Sequence, residues 1–370
     1  MRSIRFLCSI FVGCLLLASC DQSGPIKIGF IAGLSGPGAD AGDASLNALK
    51  LAAQQVNDDG GIDGRMIEII ARDDKKQPDV AQEHVREFKR LGVDAVIGPI
   101  ISSIGMAMLP VINELGVVTI SPTVSAAEFA GYRDNLFRIN ATTRENARAY
   151  ARRFIRQKHG RVAIALDGQN QTFTESWYRE FLLEFDALDG LVVSKVWINM
   201  DGVSHAQAAA ELLADSPDAI VLIANSSDSA AMAKEVRELS ADVLLAAAEW
   251  AGSESLIELG GDAVEGMELA QAYDRYDTNP RFQQFIKDYT EMFDQHPGFT
   301  SVLTYDAATV LFAALKTKHP DQDLADALTK LPPQQGLHQQ LVFDGFGDGN
   351  RNIHFVAVQD GKFIRVDSAN

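Results

Sequence analysis

Two hydroxyl-rich loops and one isolated carboxylate are the residues of this chain whose types and spacing suit chemistry. In Gly98-Pro99-Ile100-Ile101-Ser102-Ser103, an apolar run ends in two serines where an amphipathic stretch begins. Two hydroxyls beside the free N–H groups of a helix N-terminus make an anion site; the same serine can equally be a plain helix cap. Ser121-Pro122-Thr123-Val124-Ser125 repeats the pattern after the next apolar run. Farther on, Val243 to Ala248 leads into Glu249-Trp250. A carboxylate directly after an apolar strand is costly to bury without a cationic partner. That partner is either a protein cation, giving a structural salt bridge, or the ammonium of a ligand. An anion site and a facing carboxylate together suit a zwitterion.

Other chemistries find little support. The seven histidines are scattered, with no His-x-x-x-His pair and no Cys/His cluster, and neither a Walker loop nor a Gly-x-Ser-x-Gly elbow occurs. Gly33-Leu34-Ser35-Gly36-Pro37-Gly38 lacks the lysine of a phosphate loop, and its proline interrupts the run of backbone donors. Asp344, Asp348 and Asn350 lie in a Gly-rich loop, but Phe346 and Phe355 occupy positions where a calcium loop needs oxygen ligands, so a turn is expected. Asp73 and Asp74 are open as an acid–base pair, a helix cap or a cleft-edge pair. No enzyme, metal or cofactor is expected.

The elements that must position these residues alternate. Ile26–Ala32, Met66–Ala71, Ala95–Gly98 and Val117–Ile120 read as strands. Amphipathic helices separate them, one with Leu46, Leu49, Ala53 and Val56 on a face, one from Pro78 to about Arg90, and one after Ser103. The rhythm restarts after Arg138. A helix over Glu145–Lys158 and strands Val162–Leu166, Leu191–Trp197, Ala219–Ile223 and Val243–Ala246 follow, with helices Ser204–Leu213 and Ser227–Leu239 between them. Helices Pro280–Phe293 and Ser301–Lys318 precede two last strands near Leu341–Phe343 and His354–Val358. The fold class is therefore α/β, with two doubly wound parallel-sheet lobes. In such sheets ligands sit at the carboxyl ends of strands, where the hydroxyl loops and Glu249 fall.

Ile26-Lys27-Ile28-Gly29, Leu34-Ser35-Gly36-Pro37, Asn57-Asp58-Asp59-Gly60-Gly61-Ile62, Ile97-Gly98-Pro99, Phe137-Arg138 and Tyr305-Asp306-Ala307 occur in this order over Ile26 to Val366. On these motifs the chain resembles the type I periplasmic solute-binding proteins of branched-chain amino acid ABC transport. The resemblance implies two lobes joined by three crossovers, near Phe137–Asn140, Ala270–Tyr273 and Gly336–Phe343. Lobe 1 is expected over 26–139 plus 273–340, and lobe 2 over 140–272 plus 341–370. It implies that Ser102, with Ser103 beside it, and Ser125 present hydroxyls to an amino acid, that Thr123 offers main-chain atoms, and that Glu249 faces the ammonium. The family's ring over the ligand falls on Gln171 or Phe173, depending on a gap. Asn225 and Ala41 stand where tyrosines are expected, and Lys76 and Ile101 stand at the family's disulfide positions. Lost rings open volume and an added amide brings polarity, so a ligand larger or more polar than leucine is expected. Amino acids, small amides and aromatic acids all remain open.

Arg2 and Arg5 precede the apolar run Phe6–Leu17, which is the layout of a secretory signal over residues 1–19. Leu17-Ala18-Ser19-Cys20 resembles a lipobox, implying lipidation at Cys20 and a tether over residues 20–25. Asp21 resembles an inner-membrane retention signal. Removing Arg2 and Arg5 takes the formal charge from -17 to -19, which argues against nucleic acid as a partner. The expected partners are a small-molecule ligand, an ABC permease and the membrane through the lipid anchor, with the protein a monomer. The rival expectation is a lipoprotein sensor using the same cleft.

Overall fold

A computed structural model describes residues 24–36, 38–200 and 202–368, so Cys20 and the signal segment lie outside the described residues. The first unit runs β1 (Ile26–Ala32), α1 (Asp40–Asp58), β2 (Ile67–Asp73), α2 (Pro78–Leu91), β3 (Ala95–Ile97), α3 (Ser102–Leu115), β4 (Thr119–Ser121) and β5 (Leu136–Arg138). Its five strands pair in parallel in the order β2-β1-β3-β4-β5. Side chains alternate along β1, as a strand requires. Ile28, Phe30 and Ala32 join one apolar cluster and Ile31 joins the opposite one, with Val85 of α2 and Ile104 of α3. Gly98 sits at φ 118°, where a Cβ would collide with the Ile31 carbonyl, so the turn out of β3 accepts only glycine.

The second unit runs α4 (Thr143–Arg156), β6 (Arg161–Asp167), α5 (Gln171–Ala187), β7 (Leu191–Ile198), α6 (His205–Leu213), β8 (Ala219–Ile223), α7 (Ser226–Leu239), β9 (Leu244–Ala247), α8 (Glu254–Gly260) and β10 (Glu268–Gln271). Local signals start its helices: Thr142 and Glu145 form a capping box on α4, and Ser204 and Gln207 form one on α6. The chain then returns to the first core through α9 (Pro280–Phe293), α10 (Phe299–Thr317) and α11 (Leu324–Thr329). A small hairpin of β11 (Gln334–Gln335) and β12 (Gln340–Leu341) follows, and β13 (His354–Gln359) and β14 (Lys362–Ser368) end the described chain. Phe285 of α9 and Leu303 of α10 pack in the same cluster as Ile28 and Phe30.

Three features differ from the sequence expectation. The second sheet, ordered β14-β13-β10-β9-β8-β6-β7, is not wholly parallel, because β13 runs antiparallel to both β10 and β14. Asp360 and Gly361 both take positive φ, which closes the β13–β14 hairpin in a two-residue turn. Leu337, Leu341 and Phe343 all sit in the first unit's cluster, whereas the second lobe is expected to resume at 341. The Gly-rich loop there is a turn: Asp344 accepts the N–H groups of Phe346 and Asp348, while Asp348 pairs with buried Arg138. Among the described residues no helix is long and apolar enough to cross a membrane.

Candidate ligand-binding cleft

The carboxyl ends of both sheets face the same gap. On the first side, the loops after β3 and β4 are braced together. Thr123 Oγ1 donates to the Ile100 carbonyl at 2.6 Å, and Ser121 Oγ donates to the Pro99 carbonyl at 2.7 Å. Ser102, 2% exposed at the start of α3, accepts from the Ser125 and Ala126 N–H groups at 3.4 Å each. Ser125 is buried, and its hydroxyl makes no hydrogen bond among the described residues.

On the second side, Glu249 follows β9 and is 7% exposed. Its Oε1 accepts from Asn146 Nδ2 at 2.7 Å and its Oε2 from Trp177 Nε1 at 3.1 Å. Among the described residues no lysine, arginine or histidine pairs with it, so the alternative of a structural salt bridge drops out. Burial pushes its carboxyl above the ordinary range, against the pull of the Asn146 and Trp177 donors. Tyr150 holds this wall, donating to the Ala247 carbonyl and accepting from the Ala270 N–H, which ties β9 to β10.

Ser102, Thr123, Ser125 and Glu249 meet around a cavity of about 20 Å³, closed by Phe173 and Trp250. Phe173 meets Trp250 edge-on at 5.7 Å and lines the cavity, whereas Gln171 is exposed and reaches Met200. Sequence reading missed Asn140, Asn170 and Phe299, which complete the wall. Ser103 is not in this cavity. Its N–H donates to Asn170 Oδ1 at 3.0 Å and its Oγ accepts from the Thr172 N–H at 3.1 Å, so it fastens one side to the other. The Arg179–Glu128 pair and the Ser255–Asp40 hydrogen bond also span the gap.

Asn225 lines a neighbouring chamber of about 550 Å³, together with Ala41. Its side chain caps α7, accepting from the Asp228 N–H at 2.9 Å and donating to Asp228 Oδ2 at 2.6 Å. Asp73 and Asp74 part company here. Asp73 accepts from the Leu34 and Lys75 N–H groups and from Ser35 Oγ, pinning the loop after β1, whereas Asp74 lines the chamber. Burial above all, with the Asp73 charge adding, raises the Asp74 carboxyl to about 6; the Lys76 N–H, Lys76 and His84 oppose it. The folded chain therefore holds this proton where the unfolded chain, at 3.8, has lost it. Stability from this group is full below the unfolded value and is lost as pH rises through about 6. Asp74→Asn is expected to remove that fall, on the order of 2–3 kcal/mol, in urea midpoints compared at about pH 4 and pH 7. An unchanged pH slope would mean that Asp74 is ionised throughout. Among the described residues no group of three or more His, Cys, Asp or Glu is placed to hold a metal ion.

A family model described as periplasmic binding protein matches residues 25–363. The Leu/Ile/Val-binding protein of Escherichia coli K12 is 23% identical over 349 residues, covering 92% of this chain and 93% of that protein. A Leu/Ile/Val-binding protein of Rhizobium johnstonii is 28% identical over 167 residues, 45% of each chain. Among solved structures, a leucine-binding protein from Thermotoga maritima superposes with a TM-score of 0.84 at 20% identity, over 92% of this chain and 98% of that one. An ABC-transporter solute-binding protein from R. palustris, in complex with benzoate, gives a TM-score of 0.84 at 22% identity, over 94% and 96%. These likenesses show a shared fold.

Proposed function

The chain belongs to the periplasmic binding protein family, and from that premise we propose that it is an extracytoplasmic lipoprotein that captures an α-amino acid between its two sheet units and delivers it to an ABC permease. The observation that carries the reading is Glu249: a buried carboxylate whose two oxygens take only neutral donors, opposite the Ser102 and Ser125 hydroxyls. An ammonium supplies the missing countercharge, and the start of α3 receives the carboxylate. The two units act as lobes around the passages near residues 139–142, 272–279 and 344–353. Ligand favours the closed form because only there do both walls touch it. Cys20 carries the lipid, several acyl chains on one cysteine hold firmly, and Asp21 keeps the protein at the inner membrane.

A thermal-shift screen of the purified protein against amino acids, amides and organic acids tests the reading. A ligand at about 100 times its Kd adds about 2.7 kcal/mol to stability. A shift only from molecules without an α-ammonium would overturn the role of Glu249. Ser102→Ala is expected to weaken amino acid binding by about tenfold or more, the size of a hydrogen bond to a charged group. The melting temperature of the empty protein should scarcely move, because the two bonds to Ser102 Oγ are long. Unaltered affinity in a titration would remove Ser102 from the site.

A further inference from the structure

The small cavity at Glu249 and the chamber beside it share Ile100, Trp250 and Phe299, so an apolar waist joins about 20 Å³ to about 550 Å³. Past the waist the walls turn acidic, with Asp40, Asp43 and Asp74 from the first unit and Glu254 and Glu258 from the second. Lys76 and His296 are the basic side chains on the same walls. Two of the carboxylates already have work: Glu254 pairs with Arg275 at 2.7 Å and Asp40 accepts from Ser255. Asp74 is different. It is 1% exposed, its Oδ1 accepts the Lys76 N–H at 2.7 Å, and among the described residues no group donates to its other oxygen. A buried carboxylate with one oxygen unmatched, on the wall of a chamber, is completed by a cation. Burial, with the Asp40 and Asp73 charges adding and Lys50 opposing, also holds the Asp43 carboxyl above its ordinary range.

Resting on the amino-acid reading of the Glu249 site, we propose that the chamber takes the cationic end of the ligand, so that the substrate is an α-amino acid with a linear, positively charged side chain. The head lies between Ser102 and Glu249. The methylenes cross the waist between Ile100, Trp250 and Phe299, where an aliphatic stem belongs. The terminal ammonium or guanidinium meets Asp74 and Asp43. An acidic side chain would instead face a wall of like charge, and a short branched one would leave Asp74 unmatched.

Titration calorimetry of the purified protein with L-lysine, L-arginine, L-norleucine, L-glutamate and 1,5-diaminopentane tests this. Lysine or arginine is expected to bind about ten- to a hundredfold more tightly than norleucine, the worth of one charge-assisted contact. Asp74→Asn should collapse that ratio towards one, and Asp43→Asn should reduce it. Asp74→Asn keeps the acceptor for the Lys76 N–H and loses a buried charge, so the variant stays folded. Norleucine binding as tightly as lysine and arginine, or a ratio unchanged in both variants, overturns the cationic end and leaves the Glu249 site standing. Diaminopentane matching lysine overturns the head-group reading and supports the acidic chamber. No binding by any of the five overturns both.

Discussion

Glu249→Gln is expected to lower affinity for any α-amino acid by about 100-fold or more while leaving the empty protein at least as stable as the parent. The loss is large because the removed charge is desolvated: truncating one partner of a buried, hydrogen-bonded charge pair costs about 2–5 kcal/mol. The stability is kept because both contacts can still be made, the one to Asn146 with its direction reversed. Gln Oε1 accepts from Trp177 Nε1, and Gln Nε2 donates to Asn146 once that amide turns over, which also satisfies the presently unpartnered Asn146 Oδ1. The substitution therefore removes a buried charge without adding to the one unpartnered atom that Asn146 already carries, which passes from Oδ1 to Nδ2. Its pH signature separates it from a mere change of shape. Burial raises the Glu249 carboxyl, so parental affinity should climb with pH until that group is ionised, while the variant stays flat over the same range. Titration calorimetry across acidic to neutral pH reads both, and a variant with parental affinity would take Glu249 out of the site.

The βα rhythm was legible because apolar residues recur at fixed spacing, and Ala219–Ile223 and Pro280–Phe293 fall where the pattern puts them. The strands that escaped are short or draw on distant partners. β5 is three residues and merges with the passage that follows it. β10 begins with Glu268, a poor strand signal until Arg153, 115 residues away, answers its charge. β14 was readable, since Asp360-Gly361 before the alternating Ile364-Arg365-Val366-Asp367 is a hairpin signal. At the site, types were legible and partners were not. Ser102, Thr123, Ser125 and Glu249 all follow strands, which is enough to place them on the cleft edge. Ser103 looks like Ser102 in sequence, and only the approach of Asn170, 67 residues on, assigns it to holding the two sides together. Glu249 reads as half of an ion pair until Asn146 and Trp177, 103 and 72 residues away, turn out to be its neutral partners. Which of Gln171 and Phe173 lines the small cavity likewise depended on the pitch of α5 against Trp250.

The largest loss of stability is expected from Asp306→Ala. Asp306 and Arg351 are both wholly buried where α10 meets the third passage; Asp306 Oδ2 accepts from Arg351 Nη2, and its Oδ1 accepts from the Leu337 N–H at 2.9 Å. Among the described residues Arg351 Nε and Nη1 have no partner, so alanine strands a guanidinium in the core. Removing one member of such a pair costs about 3–5 kcal/mol, whereas removing both charges can be nearly neutral. Arg351→Met should cost less than Asp306→Ala, because the remaining carboxylate keeps the Leu337 N–H. Asp306→Asn combined with Arg351→Met should recover most of the loss, since the asparagine oxygen still accepts from Leu337 and no charge remains. The motif Tyr305-Asp306-Ala307 therefore reads as a clamp on the returning chain. Urea midpoints for the parent, the two single variants and the double variant measure the coupling directly. A cost below about 1 kcal/mol for Asp306→Ala would mean that water reaches Arg351 once its partner is gone, and that the clamp is held by packing of Leu337 and Leu341 instead of by charge.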